Sequence, residues 1–382
     1  MNYKTIHYLC FYSEIDRDYV HFPSGWTKIE YISSILEDKF RIQIVSPVGK
    51  KSLDLLPAIF KEISKNVSLI HFHTFRFKCL EKFDVLFRWI QLFYYLITKV
   101  KNDDILLIYH SMFYVDVINM YRKIRKLNNI VFQLEELYYT LSKENFAFKN
   151  KELSYVNSFK KMIVVSDLLR DRFYSDEKNI IVAYGDYRFV NLSPPAKHQD
   201  KTIIIYAGII EQDRKAAFYA VEAMKYLPNN YTLNIAGFGS ETDIEKLKIK
   251  IDELNHLFLT EKATFLGYLS GETYKTALLS ADVGLSCHVY TPDELISAEN
   301  TFSSKLIVYL KHNLNVVSNN IQCVKSSALA DNIIFFEGSD PKSIANAILR
   351  VENIKENYKL IQSLDLKFRN QLPKLFDCIE NE

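Results

Sequence analysis

The chain has 382 residues, with 48 lysine and arginine residues against 46 aspartate and glutamate residues and a formal net charge of +2. Because these charges nearly balance, the chain lacks the basic density expected of a nucleic-acid-binding protein. A hydrophobic fraction of 48% excludes an intrinsically disordered protein, and the length predicts two domains rather than one.

Short apolar runs alternate with polar or helical stretches through the first half of the chain. This alternation predicts a parallel sheet covered by helices. The first predicted helix is "SGWTKIEYISSILEDKF", in which Ile29, Ile32, Ile35 and Leu36 follow helical spacing. The predicted strands are "TIHYLCFY", "RIQIVSP", "VSLIHFHTF", "DILLIYHSMF", "IVFQLEELY" and "KMIVVS". We therefore predict one doubly wound domain over residues 1–190.

A proline-containing stretch, "RFVNLSPPAKHQDK", ends this pattern and predicts a linker over residues 191–201. A second alternation over residues 202–345 predicts a second doubly wound domain. Its predicted elements are "TIIIYAG", "KAAFYAVEAMKYL", "YTLNIAGFG", "ETDIEKLKIKIDEL", "ATFLGYL", "GETYKTALLSA", "DVGLSCHV", "LNVVSN" and "NIIFFEG". Residues 346–382 are predicted to be helical and to return to the first domain. The predicted fold class is α/β, with two Rossmann-like, doubly wound domains facing a cleft where a ligand binds.

The cysteines lie far apart in the sequence, and none is part of a CxxC pair or a zinc-like cysteine–histidine cluster. This spacing predicts reduced, buried thiols in a cytoplasmic protein. The N-terminal stretch has too short an apolar run to be a signal peptide. The five cysteines are Cys10, Cys79, Cys287, Cys323 and Cys378.

The segment "FRFKCLEKFDVLFRWIQLFYYLITKVK" interleaves aromatic residues with basic ones. Asp84 and Arg88 argue against a membrane span over residues 83–100, so we predict an amphipathic or buried helix. Residues 1–190 hold 28 Lys and Arg against 22 Asp and Glu, whereas the remainder holds 20 against 24. A basic, aromatic helix on the positive half is typical of contact with an anionic membrane surface; packing on the sheet is the alternative. The basic residues are Arg76, Lys78, Lys82 and Arg88.

The stretch "YAGIIEQDRKAAF" is the first candidate for anion binding. Gly208 permits a tight turn after a strand, and Arg214 and Lys215 stand where a helix begins. Cations there oppose the helix dipole unless an anion such as a diphosphate lies between them. A solvated charged turn is the alternative interpretation.

Two further stretches contain candidate binding residues. In "LNIAGFGSE", Gly237 and Gly239 allow close approach by a ligand or form a plain strand-to-helix turn. In "NTFSSKLIVYLKHNLNVVSNN", the Ser303 and Ser304 hydroxyls can cap a helix, or the same helix N–H groups can bind phosphate with help from Lys305.

The order and spacing of these stretches resemble the donor half of GT-B glycosyltransferases. The likeness is closest to the large retaining, family 4-like group that includes bacterial polysaccharide and lipopolysaccharide enzymes, and it covers residues 202–340. The first half resembles the group more loosely, through "PSGWTKIEYI", "SLIHFHT" and "LLIYHS". The resemblance implies a donor site in the second domain and an acceptor site in the first.

Carried over by position, the resemblance implies roles for individual residues. Arg214, Lys215, Ser303, Ser304 and Lys305 would hold the donor diphosphate. Gly25 would let a first-domain loop approach the substrates, and His110 would contact the transferred sugar or stabilise charge on it. Gly208, Gly237 and Gly239 would lie close to the donor. His71 and His73 are more typical of core histidines.

The sequence departs from the family pattern at the two glutamates that contact the sugar and the ribose. Asn300 and Val308 occupy those positions, and Glu299 is shifted in register. Asn313 and Asn315 replace the usual glycine and proline, and asparagine tolerates the left-handed conformation that this turn requires. In "FQLEELYY", Glu135 or Glu136 is a candidate acceptor base or ribose contact, or a residue of a solvated helix start.

The predicted function is transfer of a sugar from a nucleotide-sugar donor to a growing surface glycan, such as an O-antigen or capsule, with retention at the anomeric carbon. No metal or other cofactor is expected. The expected partners are the donor and a glycan or lipid-linked acceptor, on the cytoplasmic face of an inner membrane if the protein is peripheral. A sugar-nucleotide epimerase and a catalytically degenerate partner subunit remain alternatives.

Overall fold

The computed structural model describes residues 4–12, 23–51, 58–74, 83–125, 129–140, 146–189, 200–213, 215–288, 296, 298–338, 340–351 and 356–377. The chain divides into two compact units. The first comprises residues 1–186 together with 366–382, and the second comprises residues 187–365.

The first unit is built on an eight-stranded sheet. Its strands are β1 Thr5–Leu9, β2 Arg41–Lys51, β3 Ala58–Glu62, β4 Val67–Thr74, β5 Ile105–Tyr109, β6 Ile130–Leu134, β7 Lys161–Val164 and β8 Asn179–Val182. They lie in the order β3-β4-β2-β1-β5-β6-β7-β8, and every pairing is parallel except β3 with β4. Strand β1 therefore has β2 on one side and β5 on the other. Loops after β1 and β5 diverge there, which is where ligands bind in such sheets.

Helices connect these strands as a parallel sheet requires. They are α1 Pro23–Leu36, α2 Asp84–Lys99, α3 Met112–Ile124, α4 Phe146–Asn157 and α5 Asp167–Phe173. Helix α1 starts with proline, which lacks the N–H that a first helical turn leaves unbonded. Helix α2 buries Leu92, Tyr95 and Leu96 and leaves its other face in solvent, so the predicted helix is present and only partly buried.

The second unit has a six-stranded sheet that is parallel throughout. Its strands are β9 Thr202–Ile210, β10 Tyr231–Gly239, β11 Ala263–Gly267, β12 Val283–Ser286, β13 Asn315–Asn319 and β14 Ile333–Phe336. The order is β11-β10-β9-β12-β13-β14, so the direction of winding reverses between β9 and β12. The second point of divergence thus follows β9 and β12.

The described helices of the second unit cover both faces of its sheet. They are α6 Ala216–Ala223, α7 Glu241–Phe258, α8 Gly271–Leu279, α9 Ser304–Lys311, α10 Gln322–Lys325 and α11 Pro341–Leu349. Helix α6 is alanine-rich and almost fully buried, and it packs with α7 and α11 around a core that includes Ile204, Leu233 and Ile344.

The turn between α9 and β13 contains neither glycine nor proline. Asn313 takes a left-handed conformation there, with φ of 60°. The N–H of Leu314 returns to the carbonyl of Tyr309 at 3.1 Å and closes the end of the helix. The prediction that asparagine supplies this turn is confirmed.

The last helix, α12 Asn357–Asp377, contributes to both units. Asn357 is fully buried and donates to the Leu314 carbonyl at 2.6 Å in the second unit. Phe368 stacks on Tyr31 of α1 with ring centroids 5.7 Å apart in the first unit. In the division of the chain, residues 366–382 fall in the first unit and helix α11 falls in the second.

Most predicted elements are observed, and several elements were not predicted. Strands β3 and β8 and helices α3 to α5 lie between the predicted ones. Cys10, Cys287 and Cys323 are buried, free thiols, while Cys79 and Cys378 lie outside the described residues, as does most of the predicted linker. Within the part of the chain that the structure describes, no helix is both long and apolar enough to span a membrane.

Candidate active site

Strand β9 lies against Lys305 of the second unit at Gly208, which is inside the strand and not in the turn predicted for it. A Cβ atom built on Gly208 would be 2.5 Å from the Nζ of Lys305, so the glycine leaves space for the ammonium at its observed position. The same ammonium lies 4.9 Å from the ring centroid of Tyr206, whose hydroxyl donates to the Ile209 carbonyl at 2.9 Å. A cation is therefore held over an aromatic ring at the carboxyl edge of the sheet.

Helix α9 begins at this edge without a side-chain cap. Ser303 occupies the N-cap position, but its hydroxyl accepts no hydrogen bond from the first turn. The capping interpretation of Ser303 is therefore wrong in this structure. Ser304 and Lys305 are the first two helical residues, and helix amides at these positions have no carbonyl partner within the helix. These amides and the Lys305 ammonium together suit an anion.

Helix α6, which follows β9, also begins without a side-chain cap. Its N-cap residue is Lys215, which is exposed and has a left-handed backbone with φ of 55°. Arg214 lies outside the described residues. Helices α7 and α11 differ, because Ser240 and Asp340 cap them through the amides of Asp243 and Ser343. Of these four helices, α6 and α9 lack a side-chain cap, and each has a lysine at its start, Lys215 at the N-cap of α6 and Lys305 in the first turn of α9.

Gly237 and Gly239 lie inside strand β10 and pair with Gly208 and Ile210 of β9. A Cβ atom on Gly237 would be 1.9 Å from the Gly208 carbonyl oxygen, and one on Gly239 would be 2.1 Å from the Ile210 carbonyl oxygen. Both glycines are therefore required by the neighbouring strand. Their predicted proximity to a ligand is not needed to explain them.

Residues 298–301 precede α9 and are held by a buried thiol. The Cys323 Sγ lies 3.2 Å from the carbonyl oxygens of both Ala298 and Thr301, and its single S–H is shared between them. Glu299 and Asn300 lie in this turn and are half-buried, and the Asn300 amide donates to the Ile296 carbonyl at 2.6 Å. Burial and the Glu299 charge raise the pKa of Cys323 to about 12. The structure thus places Glu299 and Asn300 on the loop that leads to Ser303.

In the first unit, His110 follows β5 and is 1% exposed. Its Nε2 lies 2.6 Å from Glu152 Oε1, and its ring lies against Phe132 and Tyr138. The Glu152 carboxylate also accepts the amides of Tyr138 and Tyr139 at 2.8 and 2.9 Å. Direct contact between His110 and a sugar is not supported, because the ring is enclosed. His110 instead fixes the loop that follows β6.

That loop carries Glu135 and Glu136. The Lys28 ammonium is 2.7 Å from Glu135 Oε1 and donates to the Ala183 carbonyl at 2.6 Å. Gln133 donates to the same carboxylate at 2.6 Å. Burial, followed by the charges of Glu135 and Glu152, raises the pKa of Glu136 to about 7. A carboxyl that titrates near neutrality at the carboxyl edge of β6 has the properties of a proton-transfer group.

Of the remaining first-unit candidates, Gly25 is positioned differently from the prediction, whereas His71 and His73 are core residues as predicted. Gly25 lies in the first turn of α1 and not in a loop before it. The next residue, Trp26, donates its indole N–H to the Phe11 carbonyl at 3.1 Å and ties the helix to the end of β1. His71 and His73 are both buried in β4, and the His73 amide and carbonyl are bonded to Gln91.

Lys28, Glu152, Gly284 and Tyr309 contribute to these sites and were missed from the sequence. The sequence does contain a signal for Lys28 and Glu152. Lys28 shares a helical face with the buried Ile32, and Glu152 shares one with the buried Val156. A charged residue on an apolar helical face indicates a buried ion pair or hydrogen-bond network. Within the described ranges, no group of three or more His, Cys, Asp and Glu residues has an arrangement that could hold a metal ion.

The comparisons with known proteins agree with this architecture. Residues 191–363 match the family model of Glycosyl transferases group 1. One similar solved structure is described as "Trehalose-6-phosphate from E. coli bound with UDP-2-fluoro glucose". Its sequence is 10% identical to this chain, and the two superpose with a TM-score of 0.69 over 98% of this chain and 100% of that one. No curated protein sequence is significantly similar to the chain.

Two Burkholderia structures give the same result. The UDP-forming α,α-trehalose-phosphate synthase from Burkholderia vietnamiensis is 11% identical, with a TM-score of 0.64 over 98% of this chain and 95% of that one. The synthase from Burkholderia xenovorans, in complex with glucose-6-phosphate, is 10% identical, with a TM-score of 0.60 over 97% of each chain. The chain has the GT-B fold. Within residues 191–363, which match the glycosyltransferase family model, the carboxyl edge of the second sheet is the candidate donor site.

Proposed function

We propose that this protein is a glycosyltransferase that takes a sugar from a nucleotide-sugar donor bound by the second unit. The observation that carries the proposal is the position of the Lys305 ammonium against Gly208, beside the uncapped start of α9. Lys305, Lys215 and the first amides of α9 would neutralise the donor diphosphate. The structural neighbour bound with UDP-2-fluoro glucose supports this assignment of donor class.

In the proposed reaction, the bond between the anomeric carbon and the diphosphate oxygen breaks, and an acceptor hydroxyl oxygen bonds to that carbon. The hydroxyl proton passes to the departing diphosphate, so charge and atoms balance without a second co-reactant. Negative charge develops on the leaving group, and preorganised cations and amides stabilise it. We propose retention of anomeric configuration and charge neutralisation by these residues without a metal. NMR of the product determines its anomeric configuration and tests retention. Activity in excess EDTA tests whether the reaction proceeds without a metal.

We propose a neutral hydroxyl of a growing surface glycan as the acceptor, bound by the first unit. The supporting observation is the concentration of carboxyl groups after β5 and β6. The charges of Glu135 and Glu152 both raise the pKa of Glu136, so the three carboxyl groups lie close together, and Lys28 offsets only part of their charge. Such an edge disfavours a sugar-phosphate acceptor of the kind bound in the Burkholderia xenovorans synthase.

A donor screen with Lys215→Ala tests the proposed function. Purified protein is given UDP-, GDP- and ADP-sugars with glycan acceptors or with glucose-6-phosphate, and the released nucleotide is measured. Transfer to a glycan that falls by about a hundredfold in Lys215→Ala supports the site, because a charge-assisted contact in the transition state is lost. The matched control is Lys225→Ala, another exposed lysine of the same unit. Consumption of donor without acceptor indicates an epimerase, and no binding of UDP, GDP or ADP indicates a degenerate subunit.

We also propose that α2 rests on the surface of an anionic membrane, which would present the first unit to lipid-linked acceptors on the cytoplasmic face. Its solvent face is apolar at helical spacing. Phe83 is 47% exposed, Leu86 is 55% exposed and Ile90 is 57% exposed, and Tyr94 extends the stripe at 40%. Lys99 and Lys123 are exposed where α2 and α3 end. Arg76, Lys78 and Lys82, which precede the helix, lie outside the described residues.

Vesicle co-sedimentation tests the membrane proposal. The double variant Leu86→Ser, Ile90→Ser is expected to lose binding to phosphatidylglycerol-containing vesicles, because both side chains would enter the interface. The control is Leu257→Ser, which replaces a 66% exposed leucine on α7 of the second unit. Equal binding by all three proteins removes the proposal without affecting the assignment of the donor site.

A further inference from the structure

The two central strands of the second sheet, β9 and β12, separate before β9 reaches Gly208. Strands β9 and β12 share only two register pairs, Val283 with Ile204 and Gly284 with Ile205. Beyond that point β9 stays paired with β10 as far as Ile210, and β12 stays paired with β13 as far as Ser286. The sheet is therefore split along its middle, at the place where its winding reverses.

The hydroxyl of Tyr309 fills this split. It accepts the N–H of Ala207 in β9 at 2.9 Å and donates to the Leu285 carbonyl in β12 at 3.3 Å. Tyr309 is fully buried in α9, so water does not replace either hydrogen bond. A side-chain oxygen thus substitutes for the ladder hydrogen bonds that the two strands no longer make with each other.

Gly284 makes the position of this ring feasible. A Cβ atom at residue 284 would be 2.3 Å from Cγ of Tyr309, so the ring lies directly on the backbone of β12. The ring is therefore held between the backbone of β12 and its own helix α9, and this fixes the position of its hydroxyl. The next residue of β9 after Ala207 is Gly208, whose backbone lies against Lys305 of the same helix α9.

We propose that Tyr309 is a positioning residue that sets the width of the split and so holds Gly208 of β9 at its working distance from Lys305. The inference rests on the proposed function, because it assumes that Gly208 and Lys305 bind the donor diphosphate. Tyr309 does not itself touch the donor. It acts by joining both strands to the helix that carries the lysine.

Tyr309→Phe tests the inference, because it keeps the ring and removes only the hydroxyl. The two strands can then move relative to α9, and we expect the KM for the donor and the Kd for its nucleoside diphosphate to rise about tenfold, while the acceptor KM stays within about twofold. Gly284→Ala, which forces the ring away from β12, is expected to reproduce the effect on donor KM.

The control is Tyr95→Phe in the first unit. The Tyr95 hydroxyl is also buried and also joins two groups, His7 Nδ1 and Gln43 Oε1, each at 2.8 Å. Its loss lowers stability without touching the second sheet, so donor affinity is expected to match the wild type. Isothermal titration with UDP, GDP and ADP at a temperature where all proteins are folded gives the comparison.

The outcomes separate the inference from the function on which it rests. Wild-type binding that weakens in Tyr309→Phe but not in Tyr95→Phe supports the positioning role. Equal donor affinity in both variants and the wild type overturns it and leaves the donor site in place. A wild-type protein that binds none of the three nucleotides overturns both.

Discussion

The Lys28 ammonium lies 2.7 Å from Glu135 Oε1, and the two side chains are only 4% and 17% exposed. They are 107 residues apart in the sequence and join α1 to the end of β6. Burial lowers the pKa of Lys28, and the Glu135 carboxylate opposes that effect. The pair is therefore a buried contact that orients the loop carrying Glu136.

Lys28→Met is expected to lower the free energy of unfolding by about 3–5 kcal/mol, because it leaves the Glu135 carboxylate buried without its cation. Urea denaturation at pH 7 measures the change. The control is Lys151→Met, which removes an ion pair with Asp116 whose side chains are about half exposed. That variant should lose no more than about 1 kcal/mol. Equal losses in the two variants would show that the Lys28 pair is not buried in solution.

The raised pKa of Glu136 makes the free energy of unfolding depend on pH. Folding raises its pKa from 4.5 to about 7, so the folded state binds more protons than the unfolded state between these values. This group therefore lowers stability as pH rises from 4.5 to 7, and the loss is complete above pH 7. Glu136→Gln is expected to be more stable than the wild type at pH 8, by up to about 3 kcal/mol, with no such gain at pH 4.

Thermal or urea denaturation of wild type and Glu136→Gln across pH 4 to 8 measures that difference. Because the two proteins share all other titratable groups, the contributions of those groups cancel in the difference. The activity of the variant is a second readout: if Glu136 takes part in proton transfer, the limb of the pH–rate profile near pH 7 is absent from Glu136→Gln. A stability difference that is independent of pH contradicts the raised pKa.

Gly237→Ala is expected to destabilise the second unit by at least about 3 kcal/mol, because its Cβ would be 1.9 Å from a backbone oxygen of β9 that has no room to move. Gly271→Ala is the matched control. Gly271 has φ of 55° but no atom within 4 Å of an added Cβ, so only backbone strain of about 1 kcal/mol is expected. Circular dichroism melts rank the two variants, and the reverse order would contradict the β9–β10 register.

Lys305→Met is expected to raise the donor KM by at least about tenfold, because it removes a charge-assisted contact while keeping the length of the side chain. The acceptor KM should change little. Lys225→Met, at an exposed position of the same unit, controls for loss of one positive charge. The measurement is steady-state kinetics with the donor that the screen identifies. Equal donor KM values for the wild type and both variants would show that Lys305 does not bind the donor.

Alternating apolar runs were sufficient to predict two doubly wound domains and most of their strands and helices, because side-chain periodicity is a local property. Asn313 was predicted correctly for the same reason, since its left-handed backbone depends on the adjacent turn. The short β3 and β8 lack so clear a pattern. The family resemblance also located Gly208, Lys215 and Lys305 on the second unit.

The sequence by itself determined which residues form strands and helices, and therefore which side chains lie at the carboxyl ends of the strands. Only the tertiary structure decided which of those side chains are enclosed. His110 is enclosed because Glu152, 42 residues away, reaches it, and Gly237 is required because β9 runs beside it. Tyr309 joins β9 and β12 because those strands become neighbours only after the winding of the sheet reverses. Contacts of this kind depend on strand order and register, which are set by packing between segments distant in sequence.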